Sequence, residues 1–297
     1  MVQEVVEPTT LDEACAALAE YGDSAKLIAG GTALVLLMRQ RLLSPDRLIA
    51  LHRLPLATIE ETGPAVALGA LATHAQIAES EVVRRHYPAL AASFAGVGSR
   101  RIRNLGTIGG NLAQGDPHLD PPVALLALGA TIAVWDNGAE REIAADQFFI
   151  DYFETALGGA DVITGIRVPA RLARTGLSFV KYLTRSKDDY AAVDLAVWVR
   201  ISGDDTIDDA RVTLGSVGPR VFRAHGAEDV LKGGRPTHRR LSQAGDDAAR
   251  ASTPDSDVRG SGSYKRDLIR VLLPRAVRSA VRDAARGEPG AKGATIK

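Results

Sequence analysis

Lys26-Leu27-Ile28-Ala29-Gly30-Gly31-Thr32-Ala33-Leu34 is the stretch that decides the fold. Lys26 to Ala29 is a short apolar strand, the glycine pair and Thr32 make a turn, and Ala33 to Gln40 has a helical pattern that ends before Ser44-Pro45. A second short strand, Arg47 to Leu51, completes a β-α-β unit. Upstream, Thr10 and Glu13 form a capping box for a helix over 10–21, with Leu11, Ala14, Cys15 and Leu18 on its apolar face and Gly22 closing it. A strand running into a glycine pair presents backbone amides where a Cβ would block approach, so an anion such as a diphosphate can rest there. Taken alone, such a turn is a weak signal, since it is often only a tight connection.

The rest of the chain extends the pattern. Val66 to Leu71 is a strand, Thr73 and Gln76 open a helix with another capping box, and Pro88 to Val97 is a further helix. His74, with no second ligand at helical spacing, is assigned to the surface or to capping. After the basic stretch Arg100-Arg101-Ile102-Arg103 comes a second turn, Gly106-Thr107-Ile108-Gly109-Gly110-Asn111, which combines a small hydroxyl, glycines and an Asn tolerant of unusual backbone angles. Two such turns can clamp one diphosphate from both sides, and a Cβ at Gly31 or Gly110 would then intrude on it. The rival nucleotide signatures are absent: no Gly-x-Gly-x-x-Gly follows a strand, and no Gly-x-x-x-x-Gly-Lys-Ser/Thr occurs.

Asp116-Pro117, Asp120 and Pro121-Pro122 read as a rigid loop before a helix from Val123 to Leu128; Thr131 to Trp135 and 161–168 are strands, with a domain boundary near 170–176. Phe179 to Leu183, Val193 to Ile201 and Val212 to Val217 read as an antiparallel meander, and helices dominate from about 225. The last helix is placed at Asp267 to Arg286, kinked or interrupted at Pro274, and the tail from Gly287 is expected to be disordered.

Composition removes several function classes. The chain has 297 residues, with 36 basic against 36 acidic, so no net field steers it onto nucleic acid. No apolar run approaches the ~18–20 residues of a membrane span, and the start lacks a secretory signal, which points to the cytoplasm. A single cysteine, Cys15, supplies neither a disulfide nor an iron-sulfur or multi-cysteine zinc site, and its apolar helical face marks it as core packing. No metal site is expected.

The strings Leu27 to Leu34, Ile102-Arg-Asn-Leu-Gly-Thr-Ile-Gly-Gly-Asn-Leu112 and Gly115-Asp-Pro-His-Leu-Asp-Pro-Pro122 resemble the FAD-binding medium subunit of the carbon monoxide dehydrogenase and xanthine dehydrogenase family of molybdenum hydroxylases. The likeness continues through Lys181 to Ala191, Leu214 to Pro219 and Asp257 to Arg266, in order along nearly the whole chain. It implies an α+β fold: a PCMH-type, vanillyl-alcohol-oxidase-like FAD domain over 1–174, with subdomains at about 1–57 and 58–174. A C-terminal CO-dehydrogenase-flavoprotein-like domain over 175–286, a three-stranded antiparallel sheet with helices, would follow, then the tail at 287–297.

By the same likeness, Ala29, Gly30, Gly31, Thr32, Ala33 and Leu34, with Thr107, Ile108, Gly109, Gly110 and Asn111, hold the FAD pyrophosphate. Asp120 meets the flavin end of the cofactor, Ile163 is an apolar contact, Lys181 a basic neighbour of the ring and Tyr190 its aromatic cover. Each of these four also has a plain alternative, as turn former, core, solvated strand residue and core. Ala33 stands where a serine is frequent in the family, and Arg100-Arg101 replaces its more usual pair. The resemblance further implies a molybdopterin-binding large subunit and a 2Fe-2S small subunit in a dimer of heterotrimers, with FAD passing electrons to an external acceptor. No side chain is assigned acid or base catalysis. A stand-alone FAD oxidase and a non-catalytic scaffold are the alternatives; for the oxidase, Tyr182 and Tyr190 are the sole apparent candidates for a base.

Overall fold

The computed structural model describes residues 2–136 and 138–286, so the tail expected at 287–297 lies outside the described residues. The first unit is a parallel sheet, β1 (Glu4–Val6), β2 (Ala25–Ile28) and β3 (Arg47–Ala50), with β3 in the middle. Two helices belong to it, α1 (Leu11–Tyr21) and α2 (Leu34–Arg39). The Thr10 hydroxyl accepts from the Glu13 amide at 3.2 Å while the Glu13 carboxylate accepts from Thr10, the reciprocal cap expected. Ala14, Cys15 and Leu18 are buried against Ala25 and Ile49, so Cys15 is a core residue.

The second unit is antiparallel. Its strands are β4 (Ile59–Thr62), β5 (Ala65–Gly69), β6 (Thr131–Asp136) and β7 (Ala139–Ala144), then a small hairpin β8 (Phe149–Asp151) and β9 (Glu154–Thr155), and finally β10 (Val162–Val168). The sheet order is β4-β5-β10-β6-β7. Between β5 and β6 run α3 (His74–Glu79), α4 (Glu81–His86), α5 (Pro88–Ala95), α6 (Arg100–Leu105), α7 (Ile108–Gln114) and α8 (Asp120–Leu128), and the short α9 (Ala145–Phe148) follows β7. All nine residues of α8 are buried, which is what a helix apolar on every side requires. It lies between α5 and the C-terminal sheet, whose Phe179, Ala196 and Trp198 join the same core.

That last sheet holds β11 (Thr175–Tyr182), β12 (Val193–Ile201), β13 (Ile207–Gly215) and β14 (Phe222–Arg223) in sequential antiparallel order. Its four strands correct the expected three. The fourth has two residues behind Gly218-Pro219, too short for any alternation of apolar and polar residues to show. Eight of the nine residues of β12 are buried because both faces of the sheet are covered, α8 on one side and helices on the other. Those helices are α10 (His225–Leu231), α11 (His238–Ala251) and α12 (Gly262–Ala285).

Three local expectations change. α12 begins at Gly262 rather than Asp267, capped by the Ser261 hydroxyl, and Pro274 sits inside it without interrupting it. Gly245 of α11 packs against Arg270, four residues before that proline, where the helix carbonyl has lost its usual donor. The acid-proline loop holds only to Leu119: Asp120, Pro121 and Pro122 form the first turn of α8, with the prolines at positions where a missing amide costs nothing. His74 opens α3 but is 3% exposed, its ring 5.7 Å from Phe94; burial and, secondarily, Arg103 push its pKa down to about 4, so it is a neutral core residue. A capping box locates a helix start and is silent on which way the next residue faces.

Candidate functional site

The first glycine turn joins β2 to α2. Among the described residues, the amides of Gly30, Gly31, Thr32 and Ala33 donate to no protein acceptor. Gly31 has φ +68°, a conformation that L side chains rarely adopt. Gly30 has a different constraint: a Cβ there would lie 1.8 Å from the Leu105 carbonyl oxygen. The backbone of the first turn thus rests on the last residue of α6, immediately before the second turn. This contact brings the two turns together. Gly30→Ala is expected to push them apart and to cost about 1–3 kcal/mol, the range for overpacking; urea unfolding of the variant checks it, and an unchanged midpoint would show the contact to be soft.

The second turn is of another kind. Thr107 caps α7, its hydroxyl accepting from the Gly110 amide at 3.2 Å. The Ile108 and Gly109 amides donate to the Ala72 and Ala70 carbonyls at 3.0 and 2.8 Å, and the Asn111 amide to the Thr107 carbonyl at 2.9 Å. Most amides of this turn are therefore used within the protein. Gly109 is a packing glycine, since a Cβ would sit 2.8 Å from Ala70. Gly110 is exposed, and its Cβ would meet only the Thr107 hydroxyl, at 3.1 Å. Asn111 is buried with its side-chain oxygen lacking a protein partner. The first turn thus offers a row of free amides, and the second an open glycine and an unsatisfied amide side chain.

The remaining sequence-derived residues fall in two places. Lys181 and Asp120, both nearly buried, form an ion pair at 2.8 Å, and the Lys181 ammonium also donates to the Gly96 carbonyl at 2.8 Å. Burial raises the Asp120 pKa to about 6 although Lys181 opposes the shift. Tyr190 lies in the loop between β11 and β12, 45% exposed, with its ring 5.7 Å from that of His118 and the Arg259 guanidinium 5.4 Å over it. Its surroundings and the Asp116 carboxylate push the phenol up to about 12. Ile163 is buried in β10 beside a register shift. One hydrogen bond, from the Ala70 amide to the Thr164 carbonyl, ties its neighbour to the segment that holds Gly109.

Sequence reasoning passed over Asp116, His118 and Arg259. Burial opposes ionisation of Asp116, but bonds from the His118 amide and ring outweigh it and hold the carboxyl below its usual range. Arg259 is held by Asp189 at 2.9 Å and by Asp257 at 3.3 Å. All three lie in the quoted strings, so the signal was present without a reason to single them out.

Residues 1–171 match the family model described as the FAD binding domain in molybdopterin dehydrogenase, and residues 178–280 match the CO dehydrogenase flavoprotein C-terminal domain. The chain belongs to the FAD-binding subunits of the molybdenum hydroxylases. This flavoprotein is 35% identical over 271 residues to the nicotine 6-hydroxylase medium subunit of Paenarthrobacter nicotinovorans, covering 91% of this chain and 94% of that one. It is 34% identical over 274 residues to the carbon monoxide dehydrogenase medium chain of Hydrogenophaga pseudoflava, covering 92% and 95%. The carbon monoxide dehydrogenase structure from that organism, in a form lacking the Mo-pyranopterin moiety, aligns with TM-score 0.92 at 34% identity over 95% of this chain and 98% of that chain. Quinoline 2-oxidoreductase from Pseudomonas putida 86 aligns with TM-score 0.88 at 28% identity, covering 96% and 98%. The flavoprotein's cofactor is accordingly FAD and its class oxidoreductase. Among its described residues no helix is long and apolar enough to cross a membrane, and no cluster of His, Cys, Asp and Glu is able to hold a metal.

Proposed function

We propose that this flavoprotein holds one FAD with its diphosphate between Ala29–Leu34 and Thr107–Asn111. The ring end lies toward Asp120, Ile163, Lys181 and Tyr190, and electrons pass through it from the 2Fe-2S clusters of a small subunit to an external acceptor. Substrate is oxidised at a molybdopterin on a large subunit, within a cytoplasmic dimer of heterotrimers. The observation that carries the reading is the seating of Gly30 on Leu105 and Gly106, which sets the turn with four unused amides against the start of the second turn. A buried diphosphate needs that donor chemistry and no Cβ in its way, so these residues fit the group.

FAD, when bound, supplies the redox chemistry itself. The chain's own residues do the rest. Amides of Gly30 to Ala33 bind the anion, Thr32 and Thr107 bring hydroxyls, and the Asn111 oxygen accepts a bond from the cofactor. Tyr190, fixed between His118 and Arg259, shields one face of the ring from water. Lys181 and Asp120 place a fixed dipole near it.

The stand-alone oxidase finds no support in the phenols named for it, since Tyr182 is paired with Tyr264 at 3.2 Å and Tyr190 has its acidity suppressed. Relatives named for nicotine, carbon monoxide and glyceraldehyde are similar to this chain at comparable identity, which suits a subunit that does not select substrate. The purified chain is expected to show a visible flavin band that small substrates bleach only after partner subunits are added. Colourless protein that takes up no FAD, or rapid bleaching by a small substrate alone, would overturn the reading.

A further inference from the structure

Asp194, in β12, is not used by the electron-transfer reading. It is 0% exposed, and neither of its oxygens has a hydrogen-bond partner among the described residues. In the sheet it stands opposite Lys181 of β11 on one side and Gly215 of β13 on the other. A Cβ on Gly215 would lie 2.7 and 2.9 Å from the two carboxylate oxygens and 2.6 Å from Val123, so the acid occupies room that only glycine leaves beneath α8. Ala196 and Trp198, which share its side of the strand, pack in the same core as α8.

Toward this side of the sheet come Asp120 from α8 and Lys181 from β11, joined at 2.8 Å. At the far end stand Arg200 of β12, exposed, and from β13 Asp209 opposite it and Arg211, which lies over Trp198 and bonds the Ala127 carbonyl. The loop after β13 brings the Ser216 hydroxyl, buried and without a hydrogen-bond partner among the described residues, and Arg220, whose guanidinium donates to the Phe149 carbonyl. The loop before α8 brings Asp116 and His118, bonded to each other, and Tyr190 adds its phenol from the loop after β11. α5 carries no charged residue, and α12 covers the opposite face. Two buried carboxyls therefore share one ammonium. Both ionised, they leave an uncompensated negative charge in a dry core; with one proton retained, the trio is neutral. Burial first, and then Asp120, hold the Asp194 carboxyl well above its usual range, against Ser216 and Lys181.

We propose that Asp194 is kept as a neutral carboxylic acid behind the Asp120–Lys181 pair, and that its proton governs how the flavin's reduction potential depends on pH. The second half rests on the ring lying beside Asp120 and Lys181. The step is an acid-base equilibrium with solvent in which only the O–H bond of Asp194 breaks. Its loss adds one negative charge to the site, which disfavours adding electrons to the flavin and lowers the potential.

Asp194→Asn keeps the shape and removes the titration. On flavin-loaded protein, potentials measured from about pH 5 to about pH 10 are expected to fall more steeply for the parent than for D194N, the two diverging on the alkaline side with D194N higher. On flavin-stripped protein, melts supply a second readout. A folded pKa above the unfolded one means the native state holds the extra proton, so the parent's stability falls as pH rises from the unfolded carboxylate pKa towards the folded one. D194N is expected to lack that fall and to melt several degrees higher at about pH 9.

Parallel melting curves at every pH would overturn the acid. Divergent melts with superimposable potentials would overturn the link to the flavin. Protein that binds no FAD would sink the cofactor placement, while its melts still decide the acid. If D194N fails to fold, Asp194→Ser takes its place. Infrared spectra of the parent at about pH 8 are then decisive too: a protonated-carboxyl band upholds the proposal, and its absence ends it.

Discussion

Gly110→Val is expected to fold as the parent does and to purify without flavin. Gly110 occupies the first turn of α7 with its outward side exposed, and a Cβ there meets nothing but the hydroxyl of its own cap, 3.1 Å away. That hydroxyl can give by a few tenths of an ångström by rotating. Valine is also a better helix former than glycine, by a few tenths of a kcal/mol, so the local cost is small. A diphosphate seated as proposed has no such freedom, because the first turn is fixed where Gly30 rests on Leu105. The ratio of flavin to protein absorbance, read beside circular dichroism and a melting curve, separates the effects. Full flavin content in a folded G110V would show that the diphosphate lies elsewhere.

The obvious companion variants are poorer tests for physical reasons. Gly31 sits at φ +68°, so valine there is strained whether or not a ligand is present. Gly109 would drive a Cβ to 2.8 Å from Ala70, and Gly30 one to 1.8 Å from Leu105, so both report on packing between protein segments. Four glycines that look alike in the sequence thus divide into one of conformation, two of packing and one that faces open space.

This division marks the limit of what was legible. The β-α-β entry, both caps and β12 were readable because each rests on local chemistry: a hydroxyl with a Glu or Gln three residues on, a glycine pair after an apolar run, an unbroken apolar strand. The order β4-β5-β10-β6-β7 was not readable, because it inserts a strand from residue 162 between strands that end at 69 and 136. The glycine turns could be placed, but not their unequal use: whether an amide is free depends on the Ala70 and Ala72 carbonyls, more than thirty residues away in sequence. Asp194 escaped notice inside Val193 to Ile201 because its meaning comes from Lys181 and Gly215 across two strand pairs.

The second large effect concerns Lys181. Lys181→Met keeps the length of the side chain and removes what is, among the described residues, the only ammonium facing Asp120 and Asp194, and a loss of about 3–5 kcal/mol is expected, the range for breaking a buried pair from one side. Roughly 1.5–3 kcal/mol of that belongs to the charge-assisted hydrogen bond to Gly96 and does not vary with pH. The remainder must. In the parent, burial holds Asp120 at about 6, above its unfolded value, so the folded state carries more protons than the unfolded one in that window. The carboxyl's contribution to stability therefore falls as pH rises through it. Without Lys181 the folded value climbs further, which extends the loss into the alkaline range. Urea unfolding of both proteins should show a deficit at about pH 8 that shrinks towards the Gly96 contribution at about pH 5, where Asp120 can take up a proton and the core no longer holds bare charge. A deficit equal at the two pH values would mean that Lys181 acts through packing and its Gly96 bond alone, and that the carboxyls around it are neutral for some other reason.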